Sequence, residues 1–259
     1  PGTQILSVGP NGCNMRCRGC QNYSISQNRV PTDYYSPKQL VGLCKENKSP
    51  GVAFTYSEPL VWFEYLRDAA ALAKEEGIYS VIVSNGFINP EPLEEVSSYL
   101  AAANIDLKSF KPEFYKDYCG ATLHPILETC KYLKERVHLE ITYLLIPGLN
   151  DTGEEIEALV NWIAENLGRD TPLHISAYFP HFEMTEPATP PHRMLFAKEL
   201  AERELHYVYM GNVHGIGGSD TYCPECGNLL IERNGYSTGV IGLDGRRCGE
   251  CSREIEVIV

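Results

Sequence analysis

Three cysteines stand close together near the start of the chain, Cys13, Cys17 and Cys20, in Cys-x3-Cys-x2-Cys spacing within Pro10-Asn11-Gly12-Cys13-Asn14-Met15-Arg16-Cys17-Arg18-Gly19-Cys20-Gln21-Asn22. Thiolates grouped in this way are ligands for iron–sulfur chemistry, and a four-iron cubane normally takes four of them. With three local cysteines and no obvious fourth, one iron is left open to bind something else. The same spacing also puts side chains on one helical face, where cysteines act as small core hydrophobes. The neighbours oppose that reading. Asn11, Gly12, Asn14, Gly19 and Asn22 are poor helix formers, and Arg16 and Arg18 leave no apolar stripe. The two arginines would also offset thiolate charge.

A second group closes the chain: the knuckles Cys223-Pro-Glu-Cys226 and Cys248-Gly-Glu-Cys251, with residues 227–247 between them. Paired Cys-x2-Cys knuckles signal a tetrahedral four-cysteine site, most often structural zinc. A rubredoxin-like single iron or an auxiliary iron–sulfur cluster is the alternative for a cysteine-only site. Cys44, Cys119 and Cys130 lack partner spacing and read as buried hydrophobes.

Phrases beyond the loop carry a family resemblance: Cys-Gln-Asn-Tyr-Ser-Ile-Ser-Gln, Thr-Tyr-Ser-Glu-Pro, Ser-Asn-Gly, Asn-Ile-Asp-Leu-Lys, Ile-Pro-Gly-Leu-Asn-Asp and the terminal Cys-Pro-Glu-Cys-Gly. Together with the three-cysteine motif they resemble radical S-adenosylmethionine (SAM) enzymes related to the pyruvate formate-lyase activating enzyme, in the branch called AmmeMemoRadiSam. The resemblance implies a [4Fe-4S] cluster on Cys13, Cys17 and Cys20, whose open iron binds SAM. It also implies one-electron cleavage of SAM to a 5′-deoxyadenosyl radical that abstracts hydrogen from a substrate, with activation of a partner protein through a glycyl radical as the alternative and a non-catalytic iron–sulfur and zinc interaction protein as the rival from another class. A reductant such as ferredoxin or flavodoxin is the implied partner. Members of this branch usually carry a further cysteine-bearing N-terminal segment, so truncation or renumbering is expected here.

The same resemblance assigns residues. Tyr56 and Glu58 fall where backbone carbonyls and an acid hold the SAM ammonium, and Glu58 would accept a charge-assisted hydrogen bond from it. A solvated carboxylate at a helix start is the plain alternative. Ser84 and Asn85 resemble the family's Thr-Asn-Gly, a SAM contact. The residue before them, acidic in the activases and used there for a monovalent cation, is Val83. Asp106 and Lys108 match Asp-Leu-Lys and are expected to pair on one face of a strand, with Lys108 reaching the SAM carboxylate or the substrate. They are the catalytic candidates, against a purely structural ion pair. Glu140, beside Thr142, and His181 are expected at the cofactor; His174 is a further strand-end polar group. Where many relatives have an aromatic residue against adenine, this chain has Gly19, and Tyr23 is the expected substitute.

Composition narrows the partners. A formal net charge of −12 argues against a nucleic-acid-binding face, so a protein, peptide or small-molecule substrate is expected. No apolar run suits a membrane span, and seven of the ten cysteines sit in metal-type clusters, which places the chain in a reducing cytoplasm.

Strand and helix signals alternate along the positioning elements. Strands are predicted at 4–9, 51–56, 79–84, 104–108, 137–146, 173–179 and 206–210. Helices are predicted at 36–45, 59–76, 89–103, 112–118, 122–135, 152–168 and 191–204. Such repetition gives an α/β parallel sheet curled into a barrel, with active residues at the C-terminal strand ends. The family's fold is the partial (β/α)6-type barrel. The domains expected are residues 1–215, the barrel, and 216–259, a small four-cysteine zinc ribbon that stabilises the barrel or docks a partner, with a glycine-rich linker at 211–221.

Overall fold

The computed structural model describes residues 2–213, 217–235 and 237–257. Seven strands, β1 (Leu6–Val8), β2 (Gly51–Phe54), β3 (Tyr79–Ser84), β4 (Ala102–Asp106), β5 (His138–Leu145), β6 (Leu173–Ala177) and β7 (Val208–Gly211), form one parallel sheet whose spatial order is the chain order. Between them lie α1 (Tyr23–Ser26), α2 (Pro37–Glu46), α3 (Phe63–Glu75), α4 (Pro90–Ser97), α5 (Pro112–Phe114), α6 (His124–Lys134), α7 (Gly153–Asn166) and α8 (Pro191–Ala201). β1 and β7 are the two edges of the sheet, so this is the expected partial barrel.

Local chemistry sets the helix starts. Ser36 and Gln39 form a reciprocal capping box at α2, and the Thr152 side chain accepts from the Glu155 N–H at α7. One element departs from expectation. The helix predicted for 89–103 stops at Ser97, and Ala102 and Ala103 join the sheet, paired on one side with Val81 and Ile82 and on the other with His138 and Leu139. Pairing on both edges outweighs the helix propensity of alanine.

Strict alternation divides each strand between two environments. In β5, Leu139, Ile141, Tyr143 and Leu145 are buried, while His138, Glu140, Thr142 and Leu144 are half-buried. The half-buried set lines two cavities: Thr142 and Leu144 one at the C-terminal strand ends, His138 and Glu140 one at the N-terminal ends.

The C-terminal part folds as β8 (Thr221–Tyr222), β9 (Leu229–Asn234) and β10 (Ser237–Val240) in an antiparallel sheet, followed by a hairpin of β11 (Leu243–Asp244) and β12 (Arg247–Cys248). Tyr207 packs with Leu230, Ile231 and Ile255 of this unit, Tyr209 Oη lies 2.8 Å from Thr221 Oγ1, and Arg253 Nη2 lies 3.4 Å from Asp170 Oδ1. The ribbon therefore caps the N-terminal, floor end of the barrel. The boundary expected at 215/216 falls among residues outside those described.

The Ile146–Asp151 turn explains one sequence phrase in structural terms. Asn150 is fully buried; its Nδ2 donates to the carbonyls of Lys108 and Leu144, both at 2.8 Å, and its Oδ1 accepts from Ile146 N at 2.6 Å. Replacing it strands buried backbone groups, each costing about 1–3 kcal/mol. Asn150→Ala is expected to lower unfolding free energy by roughly 3 kcal/mol or more, read from the urea midpoint at unchanged m-value.

Candidate active site

Cys13, Cys17 and Cys20 line a cavity of about 220 Å³ at the C-terminal ends of the strands. Glu58 follows β2, Ser84 ends β3, and Asp106 ends β4 with Lys108 just beyond it, and all four side chains reach the same cavity. The loop is held in place by backbone pairing with a distant segment: Arg16 N donates to Cys119 O at 2.8 Å and Arg18 N to Tyr118 O at 3.0 Å.

Asn85 links the strand ends to the cysteines. Its Nδ2 donates to Asn14 Oδ1 at 2.8 Å and lies 3.6 Å from Cys13 Sγ, while its Oδ1 accepts from Phe87 N at 2.8 Å. Gly86 next to it has φ +69°, and a Cβ there would stand 2.9 Å from Ile105 Cγ2, so glycine is required.

Glu58 is only 1% exposed. Its Oε1 accepts from Ser84 Oγ at 2.8 Å and Leu60 N at 3.0 Å, and its Oε2 from Asn85 N at 2.8 Å. Burial outweighs these three donors and pushes its carboxyl up to about 7. The solvated-carboxylate reading fails, and only the less occupied Oε2 remains to accept from a ligand. Tyr56, 55% exposed at the cavity wall, holds a left-handed φ of +72°, unusual for a residue with a side chain.

Lys108 Nζ lies 2.8 Å from Asp106 Oδ2, the pairing expected from strand alternation. Burial works against the ammonium, but Asp106 and the nearby Cys17 and Cys119 sulfurs outweigh it and hold the lysine well above its ordinary value. Burial raises the Cys13 thiol to about 11, whereas the Cys119 thiol beside Cys17 lowers that one to about 7.

Position decides against Glu140 at the cofactor and places two histidines. Glu140 lies at the floor, in the other cavity, with Oε1 3.2 Å from His138 Nε2 and Oε2 2.8 Å from His174 Nε2. Burial would raise its carboxyl, but the two imidazoles outweigh burial and hold it well below the carboxylate range. Alternation gave its face correctly, but Glu140 is the third residue of β5 and so sits far from the roof. His174, second in β6, shares that floor. His181 is exposed in the loop after β6 and does not line the roof cavity.

Tyr23 stacks on Phe182 at 5.0 Å and does not line the roof cavity. The space a side chain at Gly19 would need is taken by the Tyr118 hydroxyl, and Tyr118, stacked on Phe114 at 4.5 Å, lines the cavity. No local signal marks Tyr118, since the contact spans a large sequence separation.

The two cysteine groups differ in the metal they suit. The sulfurs of Cys223, Cys226, Cys248 and Cys251 lie within 4.8 Å of one another, close enough to share one ion, and among the described residues no other such group of three or more donors occurs. The loop sulfurs are too widely spread for a single ion. Three thiols spread round a cavity fit a multi-iron cluster, and Asn85, Lys108 and Glu58 supply polar groups beside it.

Residues 8–163 match the radical SAM superfamily. The chain belongs to this superfamily. It resembles an uncharacterized protein of Methanocaldococcus jannaschii, 40% identical over 267 residues that cover 100% of this chain and 79% of that protein. It also resembles the pyruvate formate-lyase 1-activating enzyme of Escherichia coli, 30% identical over 173 residues covering 61% of the chain and 68% of the enzyme. In fold it is like Streptococcus suis SuiB bound to S-adenosylmethionine, with TM-score 0.65 and 16% identity over 82% of this chain and 52% of SuiB. Membership makes this an enzyme of radical mechanism and implies a [4Fe-4S] cluster and SAM. No helix among the described residues is long and apolar enough to cross a membrane.

Glu58 yields a pH prediction. A carboxyl raised in the folded state contributes stability that is complete below its ordinary 4.5 and lost as pH climbs through about 7. The melting temperature of the ligand-free protein is expected to fall between pH 5 and pH 8, and Glu58→Gln is expected to flatten that slope, as read by scanning calorimetry.

Proposed function

We propose that this enzyme cleaves SAM at the roof cavity and uses the resulting radical to take hydrogen from a substrate other than the glycine of a glycyl-radical enzyme. The observation that carries the reading is the convergence of Cys13, Cys17 and Cys20 with Asn85 and the Asp106–Lys108 pair on one cavity. A cluster on the three thiolates supplies the electron for SAM cleavage. The protein's own residues do the positioning. Glu58 Oε2 would accept from the SAM ammonium and the cationic Lys108 would face a carboxylate; Asp106 keeps that lysine charged and fixed. Buried Tyr118 walls one side of the cavity.

Two features favour a substrate outside the activases. Val83 stands where they carry an acid, and the match to the M. jannaschii protein spans the whole chain, ribbon included, whereas the E. coli activase match covers 61%. The activase reading is supported by the names of relatives at 30% identity; its signature would be a glycyl radical detected by electron paramagnetic resonance (EPR) on a partner protein. The ribbon is read as a structural zinc site. Gly227 (φ +74°) and Ser252 (φ +60°) turn left-handed just after the two knuckles, and the ribbon's place at the floor suits stabilisation of the barrel.

The deciding experiment is dithionite-dependent release of 5′-deoxyadenosine from SAM by anaerobically reconstituted protein. The parent is expected to release it and Cys17→Ala to fall to background; equal background from both, with the parent's cluster loaded, would sink the reading. Elemental analysis is expected to find about one zinc per chain at the ribbon, lost in Cys226→Ser with a lowered melting temperature.

A further inference from the structure

The floor cavity is larger than the roof cavity and shares no lining residue with it. It measures about 690 Å³, within the roughly 300–1,000 Å³ that small-molecule sites occupy. Strands β3 to β7 supply one side of it, and β8 and β9 of the ribbon supply the other. Much of the wall is apolar or aromatic, including Val81, Ala102, Ile231 and Ile255 with the rings of Tyr79 and Tyr209.

The polar groups on this wall divide into engaged and free. Glu140 stands between His138 and His174, and each Nε2 is turned to a different carboxylate oxygen. That arrangement occupies the acid and holds the two ring nitrogens apart; among the described residues only the ribbon cysteines are gathered closely enough to share one ion. Glu256, also on the wall, pairs with Lys134 at 3.3 Å. Arg233 differs. It lies over the Tyr209 ring at 5.2 Å, and its Nη1 donates to Ser219 O at 2.8 Å and Thr221 Oγ1 at 2.7 Å. Both Nη1 hydrogens are then used, and the Nε–Nη2 edge, which matches a carboxylate side-on, has no partner among the described residues. Asp220 accepts from the Arg233 backbone N–H, not from the guanidinium. Unlike the exposed Arg16, Arg18 and Arg29, Arg233 is half-buried, so water compensates its missing partner less well.

We propose that the floor cavity is a second ligand site, which takes a small monocarboxylic acid with a planar apolar body. The free edge of Arg233 receives the carboxylate in two charge-assisted hydrogen bonds, and the body lies against Tyr79 and Tyr209 within the apolar wall. A cationic ligand would need a free acid, and Glu140 and Glu256 are both engaged. A multiply charged anion would need a second free cation, whereas both imidazoles are committed to Glu140. The ligand would touch barrel and ribbon at once and so fasten one to the other.

The test uses benzoate as probe and benzamide as the same body without the charge, each titrated by calorimetry into the full reconstituted chain. The parent is expected to bind benzoate saturably and about tenfold or more tightly than benzamide, and Arg233→Gln is expected to weaken benzoate by about tenfold or more and to lose the preference. The place of binding is read from NMR of isotope-labelled methionine methyl groups, since Met210 lines the floor cavity and Met15 the roof one. Benzoate is expected to shift the Met210 methyl and leave that of Met15 unmoved. This readout compares two positions in the parent, so it stands whether or not the arginine variant folds. Absence of saturable benzoate binding, equal affinity for benzamide, unchanged binding by folded Arg233→Gln, or a shift at Met15 in place of Met210 would each overturn the proposal.

Discussion

One buried carboxylate ties the catalytic face together. Glu58 joins the end of β2 to Ser84 and Asn85 at the end of β3, and Asn85 in turn grips Asn14 of the cysteine loop. Burying an acid is costly unless donors meet it, and the three donors here are the groups that must be aligned for the cavity to exist. Its elevated carboxyl means the alignment is held against a desolvation penalty that a bound cation would relieve. An ammonium ligand therefore does more than fill a space: it supplies the charge this corner of the fold lacks.

Legibility in the sequence followed the range of the interactions. The cysteine loop, the knuckles and the Asp106–Lys108 pair were readable because spacing and alternation are local properties. Glu140 was misplaced because alternation reports which face a residue takes and says nothing of its height along a strand; two residues further on, Thr142 does reach the roof. Tyr118 was invisible for a different reason. Its place beside Gly19 depends on the loop pairing with residues 118–119, which no short window contains. The helix predicted through Ala103 failed where tertiary pairing overrode propensity.

The barrel has two ends of unlike character. At the roof, polar groups face a modest cavity with one ion pair. At the floor, a carboxylate bridged by His138 and His174 lies under a ribbon that adds its own tyrosine and arginine contacts. The described ribbon residues line the floor cavity and not the catalytic one.

Because the strand order repeats the chain order, each strand can join the sheet as it is synthesised, next to the one before it. The cysteine loop is the exception. The segments that hold it, at 118–119 and 183, come far later in the chain. The final geometry of the three thiols therefore exists only after β6 and the loop that follows it have been added. Iron delivery before that moment would meet a floppy tripeptide-like chelator; after it, a preformed cup. The cup is thus closed by the topology: its cysteines precede in the chain the segments that complete it.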